Sequence, residues 1–366
     1  MNAFVYPTSI LTELYAKEIR KDIVHKNKLV QLAVFGQERV FSNVSRKICI
    51  LILEPKGKHT ESQVDYFEEG IIIKETRIRP LLWLHNHNYM FDINTSNISI
   101  ALKNKVTKQS IKVGNVYYVN YGAQICSKEK GAFSQEALLG NKAIGNAKKC
   151  LRGTDIKRYA LKWNNYYLNY QPKIMYGPRH PYFFESPKII INKTSSKGFG
   201  LMATYDINKF YSDQRSICLV RYHFLEGTNL KMDFPGYEKS KCTESEVFHL
   251  ALLNSKLIKF YFANFIATKN LQGDYTDVLP KMVRDLPLLL IDFSSQLENS
   301  KYIRLTLLAN SMLEMHVQYI SSNSEMQKNT ISKQIEAIDK EIDGLVFELY
   351  GLTDEEIKII EDGVAK

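Results

Sequence analysis

Positive charge is concentrated in one fifth of this chain, and that concentration limits what the segment can form. Between residues 141 and 221, fifteen Lys and Arg stand against four Asp and Glu, whereas all 366 residues together have a net charge of only +10. The cations alternate with apolar runs at 188–191 and 216–220, which indicates charged strands and loops of a folded region instead of one disordered tail. A folded basic surface favours a polyanionic partner, although a charge run is also typical of a solvated face.

Aromatic side chains are interleaved with this charge, at Trp163, Tyr166, Tyr167, Tyr170 and Tyr176. Basic groups neutralise phosphates while aromatic and amide groups can reach the bases, so the segment is interpreted as a nucleic-acid surface. Arg179 lies between Pro178 and Pro181, and a guanidinium on such a stiff loop suits bidentate contact with guanine and suits phosphate equally well. We predict contacts with double-stranded DNA from eight basic residues: Arg152, Lys157, Arg158, Arg179, Lys188, Lys193, Lys197 and Arg215.

The bulk composition narrows the class of protein. The length suggests two or three domains, and no apolar run approaches the eighteen residues of a membrane span. The first residues lack the basic start and the cleavage site of a secretory signal, so a cytoplasmic protein is expected. Five cysteines lie far apart with no C-x-x-C pair, which disfavours zinc and favours buried thiols in a reducing compartment. Neither a metal ligand nor a catalytic residue is predicted.

The two ends of the chain differ in pattern. Residues 1–55 contain strand-like runs, among them the continuously apolar I-C-I-L-I-L at 48–53, which is typical of a strand covered on both faces. Three strands and one helix are too few for a complete α/β domain, so an exposed apolar edge is expected. Residues 56–114 are interpreted as a connector and 115–290 as a mixed α/β domain.

Residues 300–366 are predicted to be an antiparallel helical hairpin followed by a short helix. Apolar residues step by three and four along 305–319 and again along 331–349, with a polar break at 321–324. Thr353 and Glu356 have the spacing of a capping box for the last helix. Eleven acidic against five basic residues from 325 to 366 predict a spacer or a protein-facing element that does not face DNA. The fold class is thus α+β.

Several separated segments carry a resemblance to a known family. These are G-T-D-I-K-R-Y at 153–159, residues 166–170, 184–193, A-T-Y-D at 203–206, A-L-L-N-S-K-L-I at 251–258, and the ending at 334–353. Together they resemble the C-terminal specificity domain of TaqI-like and Eco57I-like adenine-N6 DNA methyltransferases and of related single-chain restriction-modification enzymes. Residues 4–10, with 34–36 and 40–41, are similar to the last strands of the methyltransferase catalytic domain in that family, so residues 1–55 are interpreted as a remnant of its sheet.

The resemblance implies a target-recognition part without its own chemistry. In the family, S-adenosylmethionine is held by a separate loop and the flipped adenine by an N-P-P-Y motif, and the sequence contains neither. We therefore expect no cofactor in this chain, S-adenosylmethionine in a catalytic partner chain, and pairing with that chain or self-association. Two alternatives remain open: a complete methyltransferase or restriction enzyme, and a helical protein-interaction module whose basic charge is incidental.

Overall fold

The fold is described from a computed structural model of the chain. The described residues are 1–35, 47–55, 61–92, 97–126, 135–196, 198, 200–228, 230, 242–267 and 276–364. Among their helices, none combines the length and the apolar character that crossing a bilayer requires. The chain forms two compact units, one of residues 1–104 with 263–276 and one of residues 105–262 with 277–366.

The first unit is built on a five-stranded sheet with the order β1-β3-β2-β4-β5. Its regular elements are β1 (Asn2–Pro7), α1 (Lys17–Lys26), β2 (Asn27–Phe35), β3 (Ile48–Pro55), β4 (Ser62–Glu68) and β5 (Ile71–Ile78). Only β2 and β4 run parallel, and the other neighbours are antiparallel. The sheet continues beyond residue 55, so residues 62–78 are part of it and not a connector, because β4 pairs along the whole second half of β2.

One face of this sheet forms the core of the first unit. Cys49, Leu51 and Leu53 of β3 point into a cluster with Ile23 and Val24 of α1. The intervening side chains of β3 are half-buried, so the expected coverage on both faces is found on one face only. The exposed apolar side chains of the edge strands are Phe4, Val5, Ile71, Ile72 and Ile73.

A buried arginine holds the loops of the first unit together. Arg20 of α1 donates hydrogen bonds of 2.7–3.3 Å to the backbone carbonyls of Ile10, Glu13, Asn88 and Tyr89. Burial lowers the pKa of this guanidinium to about 10. Its N–H groups donate to carbonyl oxygens, and the nearby Glu13 carboxylate acts to raise its pKa, so the buried charge is tolerated.

The second unit contains two four-stranded sheets, β15-β9-β12-β8 and β14-β13-β16-β7, and two short pairs, β10-β11 and β17-β6. The strands are β6 (Ser110–Lys112), β7 (Tyr117–Tyr121), β8 (Leu139–Gly140), β9 (Ala147–Leu151), β10 (Ile156–Lys157), β11 (Ala160–Leu161), β12 (Tyr167–Asn169), β13 (Lys188–Asn192), β14 (Ala203–Asp206), β15 (Tyr211–Ser212), β16 (Ser216–Arg221) and β17 (Pro287–Leu289). The two large sheets share one core, in which Leu168 and Cys150 of the first sheet join Ile190 and Cys218 of the second. This arrangement confirms a mixed α+β fold.

The helices after α1 are α2 (Asn97–Lys108), α3 (Val113–Val116), α4 (Pro181–Glu185), α5 (Glu246–Asn254), α6 (Lys256–Tyr261), α7 (Pro280–Arg284), α8 (Gln296–Ser321), α9 (Glu325–Leu349) and α10 (Asp354–Val364). A π-helical turn, Phe262–Ile266, follows α6. Thr353 and Glu356 form the predicted capping box, because each side chain meets the backbone N–H of the other at 3.3 and 2.8 Å.

The C-terminal hairpin of α8 and α9 is antiparallel, as predicted. Lys301 pairs with Glu348 and Arg304 with Glu341, so numbers rise along one helix as they fall along the other. Only the base of the hairpin is a core, at residues 305–312 and 342–349, where α8 also packs on α5. Farther along, the side chains at the predicted heptad positions are half-buried or exposed, because two helices alone cannot enclose the seam between them.

Candidate nucleic-acid interface

The loop after β9 places a cationic side chain at a fixed position. The backbone N–H of Arg152 donates to the carboxylate of Asp155 at 2.9 Å, and Asp155 is fully buried. The side-chain amide of Asn192 donates to the carbonyls of Gly153, at 2.6 Å, and Ile156, at 3.3 Å. These hydrogen bonds fix the backbone of the G-T-D-I segment, and they fix the backbone of Arg152, which precedes it, at the same time.

Gly153 allows a close approach between this loop and the turn before β16. A Cβ atom added at Gly153 would lie 3.3 Å from both the Cβ and the backbone oxygen of Arg215. Arg152 and Arg215 both lie near the buried carboxyl of Asp213: burial raises the pKa of that carboxyl, while the two guanidinium groups act to lower it. Two predicted DNA-binding arginines, 63 positions apart along the sequence, are thus brought to one place.

Two cations of this region lie over aromatic rings. The Nζ atom of Lys149 is 4.8 Å from the centre of the Trp163 ring, and the guanidinium carbon of Arg152 is 5.0 Å from that of Tyr166. The indole N–H of Trp163 donates to the Tyr166 carbonyl at 2.9 Å, and its ring meets Tyr167 edge to face. We call Lys149, Arg152, Trp163, Tyr166 and Tyr167 the aromatic–cationic patch. Stacking uses only the face of a guanidinium and leaves the N–H groups in its plane able to bind an acceptor.

A concave surface that encloses a volume of about 600 Å³ adjoins the patch. Arg152, Tyr166 and Tyr167 form one side of it, and Lys142 and Asn169 contribute polar groups to the lining. The surface thus offers cations, amide groups and ring faces to one ligand, which is the combination that a nucleic acid uses.

Lys149 is a member of the patch that the sequence prediction missed. Lys148 and Lys149 are adjacent in β9, so their side chains point to opposite faces. Lys148 pairs with Glu185 at 3.3 Å, whereas Lys149 is exposed and stacks on Trp163. Strand alternation through the buried Cys150 could have distinguished the two lysines.

The prediction that Lys188 contacts DNA is wrong. Its side chain is fully buried, and its Nζ atom lies 2.5 Å from the Asp206 carboxylate and donates to the carbonyl of Phe184. β13 lies between β14 and β16 in its sheet and is buried over its whole length, so Lys188 has no exposed face from which to reach DNA.

The prediction for Arg158 is corrected on similar grounds. Both Nη atoms of Arg158 bind the Asp339 carboxylate of α9, and the Nε and Nη2 atoms donate to the Asn254 carbonyl at 3.2 and 2.9 Å. Burial alone would lower the pKa of Arg158, but the hydrogen bonds to Asp339 outweigh it and raise the pKa. Arg158 therefore joins the domain to the helical hairpin, and the ion pair engages the guanidinium that was predicted to contact DNA.

The remaining predicted residues have different surroundings. Arg179 donates from Nε to the Tyr121 carbonyl at 3.0 Å and from Nη2 to the Asn120 amide oxygen at 3.2 Å, so its guanidinium holds the proline-flanked loop in place. Lys193 is half-buried, with its Nζ atom 3.5 Å from Asp277. Lys157 and Arg215 are exposed, and Lys197 lies outside the described residues.

The described residues contain one group with the composition of metal ligands, Cys242, Glu244 and His249. It shares no residue with the aromatic–cationic patch. The sequence predicted no metal ligand, because its cysteines form no C-x-x-C pair.

Comparison with known proteins agrees with the resemblance found in the sequence. Residues 148–288 match the family model of the TaqI-like C-terminal specificity domain, a narrower range than the predicted 115–290. This range contains all five residues of the aromatic–cationic patch. No curated protein matches the chain.

Among solved structures, the chain is similar to the type IIL restriction-modification enzyme MmeI in complex with DNA, with a TM-score of 0.60 and 11% identity over 98% of this chain and 48% of that chain. Weaker matches are the type IIG restriction endonuclease BpuSI (TM-score 0.39, 13% identity, 95% of this chain and 47% of that chain) and a DrdV–DNA complex (0.43, 9%, 87% and 38%). The chain spans about half the length of MmeI, and at such low identity the likeness is one of fold. Residues 148–288 therefore match the TaqI-like C-terminal specificity domain, within a chain whose fold is similar to that of a restriction-modification enzyme.

Proposed function

We propose that this chain recognises a specific sequence in double-stranded DNA, as the target-recognition part of a DNA adenine-N6 methyltransferase or restriction-modification system. The observation that carries the proposal is one of position: the aromatic–cationic patch lies wholly inside the residues that match a specificity domain. That MmeI has been solved in complex with DNA supports the same partner for this chain.

The patch and two exposed cations outside it, Lys157 and Arg215, supply groups for two parts of DNA recognition. Lys149, Arg215 and Lys157 are exposed and can neutralise phosphates, which gives affinity and fixes the register on the duplex. Arg152 is held by its loop and by the Tyr166 ring, so its N–H groups are preorganised. A preorganised guanidinium can donate two hydrogen bonds to guanine O6 and N7, which contributes about 1–3 kcal/mol of discrimination between bases.

The helical hairpin would act as a support instead of a DNA surface. Its acidic charge opposes contact with phosphates, and the Arg158–Asp339 ion pair ties it to the domain that bears the patch. We propose that the hairpin holds the domain at a set distance from a catalytic partner.

Methyl transfer itself would be performed by another part of the system. The sequence contains no N-P-P-Y motif, so we propose that S-adenosylmethionine and the flipped adenine are bound by a catalytic partner chain. The apolar side chains exposed on the edge strands β1 and β5 support a partner chain or self-association, since unpaired apolar edges are prone to pair with another chain.

The experiment that tests this function is selection from a random duplex pool on the purified chain at about physiological salt, where non-specific binding is usually weak. One enriched motif is expected. The double variant Lys149→Ala/Arg152→Ala should lose the enrichment, while Lys333→Ala, which removes an exposed lysine of the acidic hairpin, should keep it. Uniform binding of all sequences would reduce the patch to a generic basic surface, and no binding by the wild type would contradict the proposal for the isolated chain.

A protein-interaction module is the second candidate, and a specific feature favours it. Val317 of α8 is 66% exposed and Met326 of α9 is 80% exposed, near the tip of the hairpin. DNA binding with a steep dependence on salt would favour recognition of DNA, whereas hairpin variants that alter only protein association would favour this alternative. Binding of the methyl donor by the isolated chain would instead indicate a complete enzyme.

A further inference from the structure

We propose that Cys242, Glu244 and His249 bind one zinc ion. The Cys242 Sγ atom lies 3.0 Å from Glu244 Oε2 and 3.7 Å from His249 Nε2, and the three ligand atoms all lie within 4.8 Å of one another. Ligand atoms at about 2.0–2.3 Å from a tetrahedral zinc lie roughly 3.3–3.8 Å apart. One ion can therefore reach all three atoms with small side-chain movements.

The imidazole is already oriented for this role. His249 is fully buried in α5, and its Nδ1 atom lies 2.7 Å from the Tyr117 hydroxyl at the start of β7. When Nδ1–H donates to that hydroxyl oxygen, the lone pair of Nε2 points towards the thiol. Metal-binding histidines generally donate their other ring N–H to a carboxylate, a backbone carbonyl or a water, and the Tyr117 hydroxyl oxygen takes that place here.

The charges around the cluster are compatible with a dication. Arg221 is the cation beside it: its Nη1 donates to the Cys242 carbonyl at 3.2 Å, its Nη2 donates to the Glu244 carbonyl, and its Nε lies 3.2 Å from the Glu246 carboxylate. With the thiol deprotonated, three negative side chains stand against this one guanidinium. The two negative charges that remain are neutralised by one Zn²⁺, while Arg221 holds the backbone that bears two of the ligands.

The donor set indicates zinc instead of magnesium or calcium. Those two ions take oxygen ligands almost exclusively, whereas zinc is bound by thiolate, imidazole and carboxylate together. Cys242 is partly exposed, so the ion and a water molecule in its fourth position can enter from solvent. The bound ion would join residues 242 and 244 to α5, beside the N-cap residue Ser245.

The first test uses the untagged full-length chain, freed of metal with a chelator and titrated with Co²⁺. We expect one equivalent to bind, with the visible bands of tetrahedral cobalt and a near-ultraviolet thiolate-to-cobalt band, and both to be displaced by Zn²⁺. Cys242→Ser should abolish the thiolate band, while Cys126→Ser, at a second partly exposed cysteine, should leave it unchanged. The site is refuted by cobalt that binds without a thiolate band, by a band that Cys242→Ser retains, or by no stoichiometric binding.

A second variant tests the site without removing a ligand. Tyr117→Phe keeps all three ligand atoms but removes the partner of His249 Nδ1. We expect zinc affinity, measured by competition with a chromophoric chelator, to fall by about 10- to 100-fold while the thiolate–cobalt band remains. Circular dichroism of the metal-free variants shows that each has folded. Unchanged zinc affinity in Tyr117→Phe would contradict the geometry that we infer for His249.

Discussion

Replacing Lys188 by Met separates folding from DNA binding in the basic segment. Met has nearly the length and volume of Lys, so it fills the same buried space and the cavity cost is small. The change removes the ammonium that lies 2.5 Å from Asp206 and leaves that carboxylate buried. Asp206 keeps the backbone N–H groups of Asn208, at 2.8 Å, and Phe210, at 3.0 Å, so part of its compensation survives.

The magnitude follows from these contacts. Breaking a buried ion pair by removing one partner costs about 3–5 kcal/mol of unfolding free energy. Because two of the hydrogen bonds to Asp206 remain, we expect a loss of about 3–4 kcal/mol. In Lys188→Met/Asp206→Asn the uncompensated charge is gone, so the double variant should lose less than the sum of the two single changes, with a coupling of about 1–3 kcal/mol.

The chain offers a specific probe for this measurement. It has two tryptophans, Trp83 in the first unit and Trp163 in the second, so urea unfolding in a Trp83→Phe background follows the second unit alone. The control is Lys157→Met, at an exposed lysine of β10, which should change stability by no more than about 0.5 kcal/mol. A Lys188→Met protein with unaltered stability and weakened DNA binding would refute our assignment of this lysine to the core.

Three further predictions concern the interface and the hairpin. Lys149→Ala should reduce the slope of log affinity against log salt by about 0.9, the contribution of one phosphate contact, and an unchanged slope in binding isotherms would remove Lys149 from the interface. Arg158→Ala and Asp339→Asn should each destabilise the second unit by at least about 1 kcal/mol with strong coupling in a double-mutant cycle, and additive effects would contradict the ion pair. Burial raises the pKa of Asp343 to about 6, so the folded state binds its proton more tightly and this group should add about 2–3 kcal/mol of stability as the pH falls from 7 to 4. Asp343→Asn should remove that component from urea titrations at several pH values.

Much of the organisation was readable from local patterns. The steps of three and four along 305–319 and 331–349 predicted the hairpin, and the spacing of Thr353 and Glu356 predicted the cap of α10. The basic, aromatic segment predicted where a specificity domain lies. Each of these patterns depends on residues close together in the sequence. Such patterns predict one element at a time, so they do not depend on how distant parts of the chain pack.

The incorrect predictions concern side chains whose partners are distant in the sequence. Lys188 opens a strand whose next three residues are isoleucine, and that apolar run indicates a strand covered on both faces. Its partner Asp206 stands opposite it in the sheet register, which sequence spacing does not show. Arg158 and Asp339 are separated by 181 positions. The metal-ligand cluster was missed because three different residue types share it, so no repeated motif marked it.

The surroundings of the cations in the second unit distinguish those that stabilise the fold from those that we propose bind DNA. Lys188 and Arg158, which bind Asp206 and Asp339, hold the domain and its hairpin together. Lys149 and Arg152, in contrast, rest on aromatic rings, which position a cation without neutralising it. A carboxylate partner would cancel the charge that a phosphate needs, whereas a ring leaves it available. We therefore expect Lys149 and Arg152 to bind DNA, and the cations paired with acids, including Arg158 over the Tyr159 ring, to determine stability.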